Sequence, residues 1–318
     1  MRIVFLDTDT VDAGDVDLSP LEVLGTLTCH GLTAPDEVAE RIVEAQVVLT
    51  NKVILGELEI EGASDLELIC ACATGTNHLD LDAARSRGVA VSNVAGYSTA
   101  GVVQHAIGML LNLATSMHRY AVEAEMWPDS PMFCRLDHPA VELPGRTLGI
   151  VGVGEIGRGV GLVAETLGMR VVALGREGSM ATTAEGWPRL DHEEFFRSCD
   201  AVSLHCPLTS KTRHLINSET LSLLPPGAFV INTGRGDLVD EVALAAALRA
   251  GSLGGAGLDV LSAEPPPADH PLLAKNVPNL IITPHSAWAA RASRQRLVNE
   301  VAENIRAHLV GERRNRVD

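Results

Sequence analysis

One glycine-rich segment constrains the fold of this chain more than any other feature. Gly152-Val-Gly154-Glu-Ile-Gly157 directly follows the apolar run Leu148–Val151, which predicts a buried strand, and it precedes a helical pattern that extends to Leu167. A further apolar run, Arg170–Leu174, predicts the next strand. A G-x-G-x-x-G turn is a weak signal by itself, but between a strand and a helix it is typical of the βαβ unit that binds a dinucleotide pyrophosphate. The sequence therefore predicts a dinucleotide-binding α/β domain.

Strand-like and helix-like patterns alternate along the rest of the chain. The segments that predict strands in the first hundred residues are Arg2–Leu6, Gln46–Thr50, Leu66–Cys72 and Val89–Val91. A second such series begins at Arg146, and the helical pattern Ala289–Leu309 follows it. Continuous apolar strands separated by helices indicate doubly wound parallel sheets. We expect two α/β domains, residues 1–97 with 289–318 and residues 98–288.

The composition argues against several classes of partner. The 318 residues include 41 acidic and 25 basic ones, a formal net charge of −16 at pH 7. A chain this acidic repels phosphate backbones and anionic lipid, so we expect no nucleic-acid or membrane partner. The six cysteines contain no C-x-x-C pair, and the first residues predict a strand rather than a signal peptide. We expect a cytoplasmic protein without a metal site.

The end of the second strand of the βαβ unit bears on the choice of cofactor. A carboxylate at this position binds the ribose hydroxyls of NAD, whereas an arginine suits the 2′-phosphate of NADP. The sequence has Gly175 where the acid is expected, followed by Arg176 and Glu177. This arrangement favours NADP(H), with NAD(H) as the alternative if Arg176 is a solvated surface residue beside Glu177.

Three further predicted strands each end in a distinctive polar group. Arg235 lies in a tight turn, Glu264 follows Asp259 in a proline-containing loop, and His285 follows Pro284 after the last strand. Ligands of open α/β sheets bind outside the carboxyl ends of the strands. Each residue alone has an ordinary structural explanation, but together they form a coherent set for a 2-oxo acid beside a nicotinamide.

The chain resembles the D-isomer-specific 2-hydroxyacid dehydrogenases over nearly its whole length. The motifs that carry this resemblance are Gly152–Gly157, His205-Cys-Pro-Leu-Thr209, Asn232-Thr-Gly-Arg-Gly236, Gly257-Leu-Asp-Val260, Glu264-Pro265 and Pro284-His285-Ser-Ala287. Within the family it is most similar to glycerate dehydrogenases, also called hydroxypyruvate reductases. The segments that indicate this subgroup are Thr50-Asn-Lys52, Ala73-Thr-Gly-Thr-Asn77, Asn93–Thr99 and Ser130–Cys134 with Glu142-Leu143.

The resemblance implies a Rossmann cofactor domain, a flavodoxin-like substrate domain, an active site between them and a homodimer joined through the cofactor domains. It implies that Arg235 binds the substrate carboxylate, that His285 is the acid/base, and that Glu264 holds His285. The backbone of Thr74, Gly75 and Thr76 is expected to bind the same carboxylate. The expected cofactor-binding residues are Gly152, Gly154, Glu155, Ile156, Gly157, Gly175, Arg176, His205, Pro207, Thr212, Thr233, Gly234, Arg235, Asp259, His285 and Ala287.

The expected activity is reduction of hydroxypyruvate or glyoxylate to the D-2-hydroxy acid, and its reverse. Another substrate, such as 3-phosphoglycerate for a short-form enzyme or phenylpyruvate, stays open. A different class also stays open, namely a dinucleotide-sensing corepressor on the same fold, because such proteins retain the Arg, Glu and His set. Turnover of NAD(P)H with a 2-oxo acid distinguishes an enzyme from a sensor.

Overall fold

The computed structural model describes residues 1–176, 178 and 181–318. The chain divides into two compact units, the first made of Met1–Ser98 and Trp288–Asp318, and the second of Thr99–Ala287. Each unit is a parallel sheet with helices, so the α/β class predicted from the sequence is confirmed. Glu177, which bears on the choice of cofactor, lies outside the described residues.

The elements alternate as a doubly wound fold requires. The strands are β1 Arg2–Phe5, β2 Thr26–Cys29, β3 Val47–Thr50, β4 Leu68–Ala71, β5 Ala90–Ser92, β6 Thr147–Val151, β7 Arg170–Leu174, β8 Arg189–Leu190, β9 Ala201–Leu204, β10 Phe229–Asn232, β11 Gly255–Leu258 and β12 Leu280–Ile282. The α-helices are α1 Ser19–Glu22, α2 Val38–Ile42, α3 Glu57–Gly62, α4 Leu81–Arg87, α5 Thr99–Thr115, α6 Met117–Val122, α7 Glu155–Thr166, α8 His192–Ser198, α9 Ser218–Leu223, α10 Glu241–Ala250 and α11 Arg291–Leu309. Short 3-10 helices are Thr8–Thr10, Pro35–Glu37, Ala124–Asp129 and Gly236–Leu238.

The first unit contains a parallel sheet in the order β2-β1-β3-β4-β5. This is the flavodoxin-like strand order. Its middle strands are fully buried, because helices cover both faces of the sheet. Helix α11 returns from the far end of the chain and packs its buried residues Leu297, Val301 and Ile305 into this core.

The second unit contains a parallel sheet in the order β12-β11-β10-β9-β6-β7-β8. Counted from β6, the first six strands follow the Rossmann order, with β12 added at one edge. The strand order reverses between β6 and β9, and both strands end next to the glycine-rich turn. A ligand of this sheet is expected there, at the carboxyl ends of the strands.

A single left-handed residue separates helices α5 and α6. Helix α5 ends at Thr115, and Ser116 takes the left-handed conformation with a φ of 53° before α6 begins. The Ser116 hydroxyl donates a hydrogen bond of 2.7 Å to the carbonyl of Pro139, which ties the break to the irregular segment that follows. Among the described residues, no helix combines the length and the apolar character needed to cross a bilayer.

Candidate active site

The glycine-rich turn between β6 and α7 has room for a ligand above its middle residue. A Cβ atom on Gly152, whose φ is +94°, would lie 2.7 Å from the Cys206 nitrogen, and a Cβ atom on Gly157 would overlap the carbonyl of Gly152. A Cβ atom on Gly154 would meet nothing within 4 Å. The outer two glycines therefore permit close packing, and the middle one leaves its backbone open at the amino end of a twelve-residue helix. Such a helix terminus attracts anions, so these residues fit a dinucleotide pyrophosphate.

The two neighbours of Gly154 on α7 have different surroundings. Glu155, the first residue of the helix, accepts a hydrogen bond of 3.2 Å from the Thr99 hydroxyl. Ile156 packs against the buried cluster that includes Ile150 and Val160. Their contacts anchor the start of the helix beneath the turn.

Strand β7 ends at Leu174, and Gly175 continues in contact with β8. The Gly175 N–H donates to the Leu190 carbonyl at 2.8 Å, and a Cβ atom on Gly175 would lie 2.8 Å from the same oxygen. The close approach of β8 is a packing reason for glycine here, independent of the cofactor. Arg176, the next residue, is exposed.

The loop after β9 brings His205, Pro207 and Thr212 to the same edge of the sheet. The ring Nε2 of His205 lies 2.8 Å from the Ser203 hydroxyl, and burial lowers the pKa of His205 to about 4, so the ring is neutral near pH 7. The Thr212 hydroxyl donates to the Pro207 carbonyl at 2.7 Å. Thr212 therefore closes the loop that begins at His205.

The loop after β10 presents Arg235 outside the strand end. The buried Asn232 side chain donates to the Arg235 carbonyl at 2.8 Å and accepts from the Gly234 N–H at 3.0 Å. The Arg235 side chain is exposed, and its Nη1 donates to the Gly234 carbonyl at 2.8 Å. The Thr233 hydroxyl is buried and has no hydrogen-bond partner among the described residues. An orphaned buried hydroxyl at this position is available to a bound cofactor.

The carboxylate of Asp259 organises the loop that carries His285. Its Oδ1 accepts from the Ser286 N–H and its Oδ2 from the Ala287 N–H, both at 2.9 Å. The Asp259 carbonyl accepts from the His285 N–H at 2.8 Å, and His285 has a φ of 51°. The side chain of Asp259 is only 1 % exposed. Both of its carboxylate oxygens therefore hold the backbone around His285.

Glu264 and His285 form a close pair. His285 Nδ1 lies 2.7 Å from Glu264 Oε2, while Glu264 Oε1 accepts from the Leu261 N–H at 3.0 Å. About a third of each side chain is exposed, 30 % for the histidine and 37 % for the glutamate. A carboxylate on Nδ1 fixes the ring orientation and leaves Nε2 for proton exchange.

The predicted carboxylate-binding residues Thr74, Gly75 and Thr76 lie in the first unit, in the loop after β4. The Thr74 hydroxyl donates to the Val94 carbonyl at 2.9 Å, and the Asn93 side chain donates to the Thr74 carbonyl at 2.7 Å. Further along this loop, burial and the positive charge of Lys52 lower the pKa of His78 to about 4.

Two residues that support these loops through hydrogen bonds, Asn232 and His105, were not identified from the sequence. Asn232 is the first residue of the motif Asn232–Gly236, and the motif alone does not indicate what its side chain does. In the structure this side chain bonds to the backbone of both Gly234 and Arg235. His105 is a polar residue within the mostly apolar pattern of α5, and this interruption is the sequence feature that could have identified it. Its Nε2 lies 2.9 Å from the Thr283 hydroxyl, next to Asp259.

Comparisons with known proteins agree with this geometry. The model of the family "D-isomer specific 2-hydroxyacid dehydrogenase, NAD binding domain" matches residues 107–287, more than half of the chain. A hydroxypyruvate reductase of Blautia hydrogenotrophica is 36% identical over 316 residues, 98% of each chain. A glycerate dehydrogenase of Methylorubrum extorquens is 35% identical over 323 residues, 100% of this chain and 99% of its own.

A solved structure is also similar over the full length. The TT0316 protein of Thermus thermophilus has a TM-score of 0.86 and 34% identity, with 100% of both chains covered. The matched NAD-binding domain includes the glycine-rich turn, Arg235, Glu264 and His285. The match supports a nicotinamide cofactor, and the chain belongs to the D-isomer-specific 2-hydroxyacid dehydrogenase family.

Proposed function

We propose that this protein reduces a small 2-oxo acid, hydroxypyruvate or glyoxylate, to the D-2-hydroxy acid with NADPH as the preferred reductant, and catalyses the reverse oxidation. The observation that carries the proposal is the pair of His285 Nδ1 and Glu264 Oε2, 2.7 Å apart, in the same unit as Arg235 and the glycine-rich turn. An acid/base, a carboxylate-binding cation and a dinucleotide site are the parts that reduction of a 2-oxo acid needs.

The catalytic roles follow from the chemistry of each side chain. Arg235 binds the substrate carboxylate through two parallel N–H donors, which orients the C2 carbonyl. His285 donates a proton from Nε2 to the C2 oxygen, and Glu264 stabilises the imidazolium from Nδ1. The bound dihydronicotinamide supplies the hydride that C2 receives. The backbone of Thr74, Gly75 and Thr76 is a second group proposed to bind the carboxylate, from the family resemblance alone.

The remaining residues proposed to hold the cofactor follow the ends of the strands. The glycine-rich turn binds the pyrophosphate, and the backbone of His205 and Cys206 borders this turn. The Thr233 hydroxyl, which has no hydrogen-bond partner among the described residues, supplies a further polar group. Asp259 and Ala287 were expected to contact the cofactor directly. Their polar atoms bond to each other, at 2.9 Å, so we propose that Asp259 acts mainly by shaping the loop of His285.

The substrate is proposed from the relatives. The similar proteins named hydroxypyruvate reductase and glycerate dehydrogenase cover 98% or more of this chain. Both names describe the interconversion of hydroxypyruvate and glycerate. We therefore rank hydroxypyruvate first and glyoxylate, which lacks its hydroxymethyl group, second.

The preference for NADPH rests on Arg176. Because β8 already explains the glycine at position 175, the absence of a carboxylate there carries less weight than the neighbouring guanidinium. The variant Gly175→Asp would place its Cβ 2.8 Å from the Leu190 carbonyl and disturb β8, so it is a poor test of cofactor choice. Arg176→Ala is the better variant, and we expect it to weaken NADPH binding at least roughly tenfold and to leave NADH binding unchanged.

We propose that the protein forms a homodimer through the segment that follows α6. Apolar side chains are exposed there to an extent unusual for a surface, with Trp127 at 57%, Phe133 at 90% and Leu136 at 78%. Exposed apolar patches of this kind mark sites of protein association. A second copy of this chain would cover them, and sedimentation of the wild type beside Phe133→Ser tests this.

The deciding experiment is a steady-state panel. Hydroxypyruvate, glyoxylate, pyruvate, phenylpyruvate and 3-phosphohydroxypyruvate are each assayed with NADH and with NADPH. We expect the highest kcat/KM for hydroxypyruvate with NADPH. Cofactor binding without turnover on any of these acids would support a dinucleotide sensor and contradict the proposed function.

A further inference from the structure

We propose that His105 is a positioning residue for the acid/base His285, acting through Thr283 and Asp259. Four hydrogen bonds carry this inference. His105 Nε2 lies 2.9 Å from Thr283 Oγ1, and Thr283 Oγ1 lies 2.5 Å from Asp259 Oδ1. Asp259 in turn accepts the N–H groups of Ser286 and Ala287, the two residues that follow His285. The inference rests on the proposed function, because it assigns the reactive proton to His285.

The direction of each hydrogen bond follows from proton counting. A carboxylate only accepts, so the single Thr283 hydroxyl proton goes to Asp259. The Thr283 oxygen must then accept from His105, which requires a proton on His105 Nε2. The distance from His105 Nε2 to Asp259 Oδ1 is 3.6 Å, too long for a direct hydrogen bond. His105 therefore reaches Asp259 through the Thr283 hydroxyl.

The hydrogen bonds from His105 to Thr283 and from Thr283 to Asp259 together fix the orientation of the Thr283 hydroxyl. Without His105 the Thr283 hydroxyl can still donate to Asp259, but its oxygen loses the donor that polarises the O–H bond and holds the side-chain rotamer, so the bond to Oδ1 is weaker and is broken more often. Asp259 is buried, so a lost donor is not replaced by bulk water. The loop from Thr283 to Ala287 would then be held by fewer bonds, although His285 has a left-handed backbone that depends on this support.

The location of His105 explains why the histidine is present in α5. Seven other residues of this helix are buried and apolar, and six of them belong to the core cluster that includes the strand residues Ile150 and Ile231. The His105 side chain is 25 % exposed and is directed at the end of β12, where Thr283 begins the loop. An imidazole at this point connects the rigid helix to the loop that carries the acid/base.

The kinetic test uses a conservative rescue. His105→Leu removes the donor, whereas His105→Gln keeps an N–H the same number of bonds from Cα. We expect His105→Leu to lower kcat roughly tenfold with the KM for cofactor unchanged, and His105→Gln to regain all but about threefold. Thr283→Val removes the donor to Asp259 Oδ1 outright, so it should cost at least as much as His105→Leu, and adding His105→Leu to Thr283→Val should cost no more than about twofold further.

A second readout needs neither cofactor nor substrate. Hydrogen–deuterium exchange of the cofactor-free protein reports on the Ser286 and Ala287 amides, which donate to Asp259. We expect both amides to exchange several-fold faster in His105→Leu and at the wild-type rate in the control His118→Leu. His118 is a comparable half-buried histidine in α6, with its Nδ1 3.2 Å from the Asn112 carbonyl.

The outcomes separate this inference from the proposed function. Wild-type exchange at Ser286 and Ala287 in His105→Leu, or effects of His105→Leu and Thr283→Val that multiply in the double variant, would overturn the positioning role. If the wild type reduces no 2-oxo acid but the exchange rates rise as expected, the proposed function fails and the structural link from His105 to the loop stands.

Discussion

Gly236 controls the separation of two loops of the candidate site. It directly follows Arg235, and a Cβ atom there would overlap backbone atoms of Leu261 and Ser262, closer than the 3.0 Å that real Cβ atoms respect. Backbone atoms cannot rotate away as a flexible side chain does. In Gly236→Ala, the Arg235 loop and the Leu261 loop must therefore move apart, by roughly an ångström to restore van der Waals contact.

The expected magnitude follows from that displacement. Overpacking costs about 1–3 kcal/mol, and a clash with backbone belongs at the upper end. For a unit of this size, about 3 kcal/mol lowers Tm by roughly 6–12 °C. The Leu261 N–H also donates to Glu264, so the same movement separates Arg235 from the Glu264 and His285 pair. A misplacement of this size reduces kcat by roughly 100-fold.

Scanning calorimetry of the cofactor-free protein, together with kcat at saturating substrate, tests both numbers. The matched control for stability is Gly234→Ala in the same loop, because its added Cβ would lie 3.5 Å from its nearest neighbours, an ordinary contact. If Gly236→Ala has the same Tm as Gly234→Ala and keeps kcat within about threefold of the wild type, Gly236 does not control the separation of the two loops.

Three other changes test separate parts of the site. Arg235→Lys should lose at least roughly tenfold in kcat/KM for hydroxypyruvate at an unchanged Tm, because a point charge cannot make two parallel hydrogen bonds; activity within twofold would remove the carboxylate role. Glu264→Gln should lower kcat for reduction at an unchanged Tm, since a neutral amide stabilises the charged His285 ring less than a carboxylate does; wild-type kcat would contradict the pairing. For His205, burial lowers the pKa from 6.5 to about 4, so the unfolded chain binds a proton that the folded chain does not, and folding stability falls as pH drops from 6.5 towards 4. Urea unfolding at pH 7 and pH 5 should show a smaller difference in His205→Gln than in the wild type.

The central strands of the second unit were predictable because two independent signals agree. The apolar runs on either side of the glycine-rich turn coincide with β6 and β7 to within one residue. The short strands β2 and β8 were not predicted. Both lie at sheet edges, where β2 is mostly exposed and β8 is half-buried, so their sequences lack a continuous apolar run. They are defined by their pairing with β1 and β7.

In the candidate site, too, some residues are identifiable from the sequence and others only from the packing of the fold. Arg235, Glu264 and His285 could be selected from the sequence because parallel strands bring their carboxyl ends to one edge of a sheet. The contact of His105 with Thr283 could not, because the two residues are 178 positions apart and each looks ordinary in its own element. Their association depends on how α5 packs against the sheet, which no local pattern encodes.

The first unit is made of two stretches that are far apart in the sequence, and this affects the order in which the two units fold during synthesis on the ribosome. Its edge strand β5 is bonded to the last residues of the chain, with the Val317 N–H donating to the Val91 carbonyl at 3.0 Å. Helix α11, which packs into its core, also follows the second unit in the sequence. The second unit is contiguous and can fold as soon as it leaves the exit tunnel, while the first 98 residues wait with an incomplete core. Residues 99–287 are thus expected to reach their native state before the first unit does.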